Sequence, residues 1–95
     1  MNLRKTAKGQ PCLVRIPGVC NHDPETTVLA HINGGGMGMK NSDLKSAFCC
    51  AACHDVIDFR VKSDFSREQL ILWHWEGVGR TLDIWEREGL IKIKG

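Results

Sequence analysis

The chemistry of this chain is concentrated in one stretch, FCCAACHDVID, from Phe48 to Asp58. Cys50 and Cys53 form a C-x-x-C knuckle, a spacing that lets one tight turn aim two thiolates at one zinc ion. Lone C-x-x-C pairs also serve redox chemistry, but the βαβ context expected for that use is missing. The second half of a site would be Cys12 and Cys20, brought together if the chain runs out along LVRI, turns at Pro17-Gly18 and returns. A structural zinc on Cys12, Cys20, Cys50 and Cys53 follows. Five cysteines are an odd set, which suits a pure disulfide framework poorly. Cys49 is the remaining thiol and is expected to pack inward; a Cys49-x3-Cys53 pairing is the alternative.

Two further residues in the stretch carry chemistry. If 53–60 is helical, His54 and Asp58 share a face one turn apart, a pair able to hold a hard divalent ion such as Mg²⁺ or Mn²⁺ with open water positions. A surface ion pair is the plainer reading of the same spacing. His31 closes a β-prone run just before a glycine-rich loop. His22, in a turn, and His74, among tryptophans, have no chemical partner in sequence and read as structural.

These residues need elements to position them. CLVRI (12–16) alternates and reads as a strand, followed by turn-rich PGVCNHDPE (17–25). TTVLAHI (26–32) is a second strand ending at His31, and NGGGMGMKNS (33–42) a loop. A helix is expected from near Cys50 or Cys53 to about Lys62. Ser66 with Gln69 three residues on is a capping box, opening a long helix over 66–88 whose apolar residues recur at helical spacing and which Gly89 stops. Its three tryptophans read as core first. LIKIK (90–94) reads as a short final strand, and residues 1–10 as a basic N-terminal tail. The fold class is α+β, one small zinc-stabilised domain spanning 1–95.

Composition limits the rest. Charged residues are 25% of the chain and apolar ones 42%, ordinary values for a globular domain. No apolar run is long enough for a membrane span, and the N-terminus lacks the apolar segment of a secretory signal. A cytoplasmic location is expected, where thiols stay reduced and clustered cysteines point to metal. A net charge of +2 names no partner. Its distribution says more, because Arg4, Lys5, Lys8 and Arg15 all precede the first acid, Asp23, and such an arm often touches phosphates.

In order, CLVRIPGVCNHDPETTVLAHI, SDL…CCAACHDVID and EGVGRTLDIWEREGLIKI resemble the HNH, or ββα-metal, nucleases. The closer similarity is to the small phage and prophage YbcO-like nucleases, and it covers most of the chain from Cys12 on. The resemblance implies a ββα-metal domain that hydrolyses DNA phosphodiesters. It matches His31 to the general base and His54 to the metal-binding histidine opening the following helix. Asp58 stands where some members add a ligand, and the two cysteine pairs match a structural zinc. Asp43 is the match for the family's middle residue, with Asn41 and Asn33 as alternatives. Lys40, Lys45, Arg60 and the basic arm would grip DNA. The chain departs from the pattern at Ala30, where many HNH nucleases place an Asp or His ligand. Two rival readings are a zinc-containing nucleic-acid-binding module without catalysis, and an adaptor whose tryptophan-rich helix docks a protein.

Overall fold

The computed structural model describes residues 3–32 and 43–92. Two short strands form an antiparallel pair: β1, Val28–His31, and β2, Ser46–Cys49. They pair Val28 with Cys49 and His31 with Ser46. Helix α1, Ala51–Ile57, follows β2 directly, and α2, Arg67–Arg87, crosses the sheet with its closest packing against β2. The architecture is a small α+β unit.

The strand expected over 12–16 does not form. Leu13, Val14 and Ile16 are all buried, whereas Arg15 turns outward with φ 54°. The Arg15 N–H instead bonds Cys12 Sγ at 3.5 Å. A turn around the Cys12 sulfur therefore overrides the alternating pattern, and only the Leu13 N–H reaches the sheet edge, at Phe48 O, 2.8 Å. The return at Pro17-Gly18 does occur: Val19 and Cys20 both donate to Ile16 O, and Gly18 adopts φ 73°. The second strand of the pair is β2, which sequence patterning left undefined. All four of its residues are buried, so it shows no alternation to read.

β1 ends at His31, as expected. α1 is shorter than expected: Asp58 caps it by donating to His54 O, and Phe59 adopts φ 60°, so the chain cannot continue helical to Lys62. α2 matches its expected bounds. Ser66 Oγ accepts from Gln69 N while the Gln69 side chain accepts from Ser66 N, the full capping box. At the other end Gly89, φ 75°, donates to Glu86 O and Leu90 to Trp85 O, a Schellman stop. Leu90 to Lys92 form no strand; the remainder of 90–94 lies outside the described residues.

The tail reading is also corrected over residues 3–10. Leu3–Thr6 is a 3₁₀ turn, Ala7 is buried, and Thr6 Oγ1 accepts from Trp85 Nε1 at 2.8 Å. Trp85 is fully buried and meets Phe48 edge to face at 5.7 Å, which joins α2, β2 and the N-terminal segment in one apolar cluster. Trp73 is half-buried against Phe65, but Trp75 is 46% exposed and is not core. A second cluster links the cysteine region, Val56 and Ile57 to Leu70 and Val78.

Candidate functional site

The thiols are gathered from two turns. Cys50 is the N-cap of α1, and its Sγ accepts from Cys53 N at 3.4 Å. Cys12 takes the N–H of Arg15 in the same way. The ligand atoms of Cys12, Cys20, Cys50 and Cys53 all lie within 4.8 Å of one another, and three of the four residues are buried. At a Zn–S bond of about 2.3 Å, sulfurs at the corners of a tetrahedron stand about 3.8 Å apart. Cys50 Sγ and Cys20 Sγ are 3.8 Å apart. The four cysteines could thus hold a metal ion such as zinc, and both expected pairs take part. Cys49 stays outside the set as the last residue of β2, fully buried.

The electrostatics of the thiols fit a cation. Hydrogen bonds from the Cys49 and Cys53 thiols hold Cys12 far below the usual thiol range. The thiols of Cys49 and Cys53 are pushed up, each first by its bond to Cys12. Burial raises Cys20 to about 11. Cys12 is thus the readiest of these thiols to ionise, and a cation bound at the cluster would favour loss of protons from its ligands. His22 Nδ1, 3.7 Å from Cys20 Sγ, is an outer neighbour of this cluster on the exposed side.

The cluster locks α1 against the segment preceding β1. Thr26 adds to this, its Oγ1 accepting from Ala51 N at 3.2 Å. The result is an open cleft of about 670 Å³ lined by His31 from the end of β1, by His54 and Asp58 from α1, and by Arg4, Lys8 and Arg60. The two histidines are about equally accessible, with side chains 25% and 26% exposed.

Both histidines and two of the arginines at the cleft have carboxylate partners. His31 Nε2 lies 2.6 Å from Asp43 Oδ1. Donation of the Nε2 hydrogen to that carboxylate leaves Nδ1 as the basic nitrogen. Asp43 is placed by the strand pair itself: Ser46, opposite His31, donates its hydroxyl to the Asp43 carbonyl, and Ile32 N donates to Lys45 O. His54 Nε2 and Asp58 Oδ2 are 3.1 Å apart across one helical turn. Arg60 reaches Asp58 and Asp55, each at 3.6 Å, and Arg4 reaches Asp43 at 3.9 Å.

The expected site residues therefore divide. Cys12, Cys20, Cys50 and Cys53 converge. His31, His54, Asp58 and Arg60 collect at one cleft, Arg4 and Lys8 of the basic arm join them, and Asp43 touches it through His31. Lys45 is exposed but does not line the cleft. Lys40, Asn33 and Asn41 lie outside the described residues. His54 with Asp58 offers two donors to a hard ion. Among the described residues, the cysteine set is the one group of three or more ligands placed to hold a metal. His74 has a larger role than its sequence context suggests. It is buried, and its Nε2 donates to Ala30 O at 2.9 Å. No spacing could have announced this bond, because its ends lie on separate elements.

Known proteins match the chain over nearly its whole length. Residues 1–90 match the family model described as "Putative nuclease YbcO". "Putative nuclease YbcO" of Escherichia coli (strain K12) is 48% identical, with 96% of this chain and 97% of that protein covered. The protein of the same description from Enterobacteria phage 82 matches to the same extent. A solved structure of a bacteriophage-type protein from Escherichia coli K-12 is similar with a TM-score of 0.80 and 46% identity, over 93% of this chain and all of the other. No helix among the described residues is long and apolar enough to cross a membrane.

Proposed function

The chain belongs to the YbcO nuclease family, and we propose that it is a metal-dependent DNA endonuclease of the HNH type. The observation that carries this reading is the placing of His31 and His54 at one open cleft, with Asp43 2.6 Å from His31. The order of a strand ending in His31, an antiparallel strand and a helix bearing His54 supports the ββα reading.

In this mechanism His31 takes a proton from the attacking water through Nδ1, while Asp43 holds the ring and its tautomer. His54 and Asp58 would hold a divalent ion, Mg²⁺ or Mn²⁺, which supplies charge stabilisation at the scissile phosphate. Ala30 adds no ligand, so His54 and Asp58 would be the protein's two donors to that ion. Arg4, Lys8 and Arg60 neutralise flanking phosphates. Cys12, Cys20, Cys50 and Cys53 would hold a structural zinc, which would fix α1 relative to β1 and so the separation of His31 from His54.

The test is cleavage of plasmid and single-stranded DNA by the zinc-containing protein with and without Mg²⁺ or Mn²⁺; phosphodiester hydrolysis that needs the added ion is expected. One observation favours a second reading, a zinc-containing nucleic-acid-binding module without catalysis. Ala30 leaves the cleft with two metal donors in place of three. DNA binding without cleavage under every ion would select it.

A further inference from the structure

Beside the cleft runs a second, smaller groove of about 120 Å³ between α1 and the first half of α2. Its walls include Ile32, Ile57, Phe59, Arg67, Ile71 and Trp75. Phe59 is 63% exposed and Trp75 46%, so two large aromatic surfaces face solvent on a domain with little apolar area to spare. At this volume the groove is well below the several hundred Å³ of a small-molecule site and suits a single ring system.

The backbone ties the two depressions together at two places. His31 lines the cleft and Ile32 the groove. Asp58 and Arg60 line the cleft, and Phe59 between them lines the groove. The alternation at the second place depends on φ 60° at Phe59, a left-handed conformation that a bulky residue rarely takes. The turn thus presents an aromatic ring on one side and two charged residues on the other. Arg67, exposed at the groove, is a positive group suited to a polyanion.

We propose that this groove is a base-stacking subsite. An unpaired nucleobase of single-stranded DNA would seat against Phe59 and Trp75, while the adjoining phosphate lies in the His31–His54 cleft. The continuity of groove and cleft favours the nucleic acid itself over a protein as occupant. Stacking is tolerant of base identity, because every base has a π face. The groove would therefore select strand form without selecting sequence. This inference rests on the reading of the cleft as a DNA phosphodiester site.

The experiment measures binding of the full-length, zinc-loaded protein to a labelled single-stranded oligonucleotide and to a blunt duplex, without added divalent ion. Tighter binding of the single strand is expected, with quenching of tryptophan emission that Trp75→Ala largely removes. Phe59→Ala and Trp75→Ala should each weaken single-strand binding by about 5- to 100-fold. Duplex binding should stay within about twofold, and the salt dependence should be unchanged, because stacking releases no counterions. Phe59→Leu keeps an apolar side chain but lacks the ring, so it should lose affinity like Phe59→Ala while folding normally by circular dichroism. Equal affinity for both DNA forms that the variants leave untouched overturns the subsite and leaves the nuclease reading standing. No binding to either form at low salt overturns both. A dimer that Phe59→Ala converts to monomer overturns the subsite in favour of a self-association face.

Discussion

His74 on α2 donates its Nε2 hydrogen to the carbonyl oxygen of Ala30 at 2.9 Å, which ties the long helix to the residue immediately before His31. Burial holds the His74 pKa below the ordinary 6.5, so the ring is neutral in the fold. An unfolded chain gains a proton there as pH falls below 6.5, and the folded one resists it. The stability contributed by neutral His74 is thus complete above that value and is lost as pH falls below it. Thermal melts across this range should show a decline that is shallower in His74→Gln, which keeps an N–H donor but does not titrate. His74→Ala should lose about 1–3 kcal/mol at neutral pH, because a buried carbonyl loses its partner. An acid decline identical in the wild type and His74→Gln would show that other groups cause it.

Two glycines of α2 should respond oppositely to alanine. A Cβ at Gly77 would meet Val14 Cγ2 at 2.9 Å, Ala47 Cβ at 3.1 Å and Leu13 O at 3.2 Å. These are the core contacts that let α2 lie close against β2 and the Cys12 turn. Overpacking of roughly 1–3 kcal/mol should outweigh the helix-propensity gain of about 1 kcal/mol, so Gly77→Ala destabilises the protein. Gly79 has nothing within 4 Å of the same position, and Gly79→Ala should stabilise by about 0.5–1 kcal/mol. Urea denaturation of both variants checks the contrast.

Much of this organisation was legible in the sequence, for reasons that differ by element. Ser66, Gln69 and Gly89 are local signals with local mechanisms, so the bounds of α2 could be read directly. Cys50 and Cys53 were legible because C-x-x-C spacing is itself a geometric statement, and Cys12 and Cys20 because Pro17-Gly18 marks the turn that returns one to the other. β2 was not, because its four buried residues carry no period. CLVRI misled because Leu13, Val14 and Ile16 are buried as a strand's residues would be, while Arg15 at φ 54° turns the backbone out of an extended path. The His31–Asp43 contact was reachable only through family resemblance: twelve positions separate the two residues, and strand pairing closes the gap. The exposure of Trp75 and the bond from His74 to Ala30 depend on where α2 crosses the sheet, which no single segment encodes.

The cysteine cluster should govern folding. Cys53→Ser should release the metal and unfold the domain, given that structural zinc contributes on the order of 10–16 kcal/mol of apparent binding free energy in small domains. Cys49→Ala should keep the metal and cost roughly 1–3 kcal/mol from lost packing. Metal content by mass spectrometry, beside circular dichroism, separates the two. Metal lost from Cys49→Ala but kept in Cys50→Ala would show that the helix cap is not a ligand.

Cleavage of DNA by wild-type protein, His31→Ala and His54→Ala, titrated with Mg²⁺ and Mn²⁺, tests the central claim most directly. The wild type should cut only with the added ion. His31→Ala should bind DNA and ion normally yet cleave roughly 10²–10⁴-fold more slowly at every ion concentration, the usual contribution of a general base. His54→Ala should be inactive at low ion concentration and recover in part at high concentration, because its defect is in holding the ion. A wild-type protein that binds DNA but hydrolyses none of it with any divalent ion, at any ionic strength, would contradict the account.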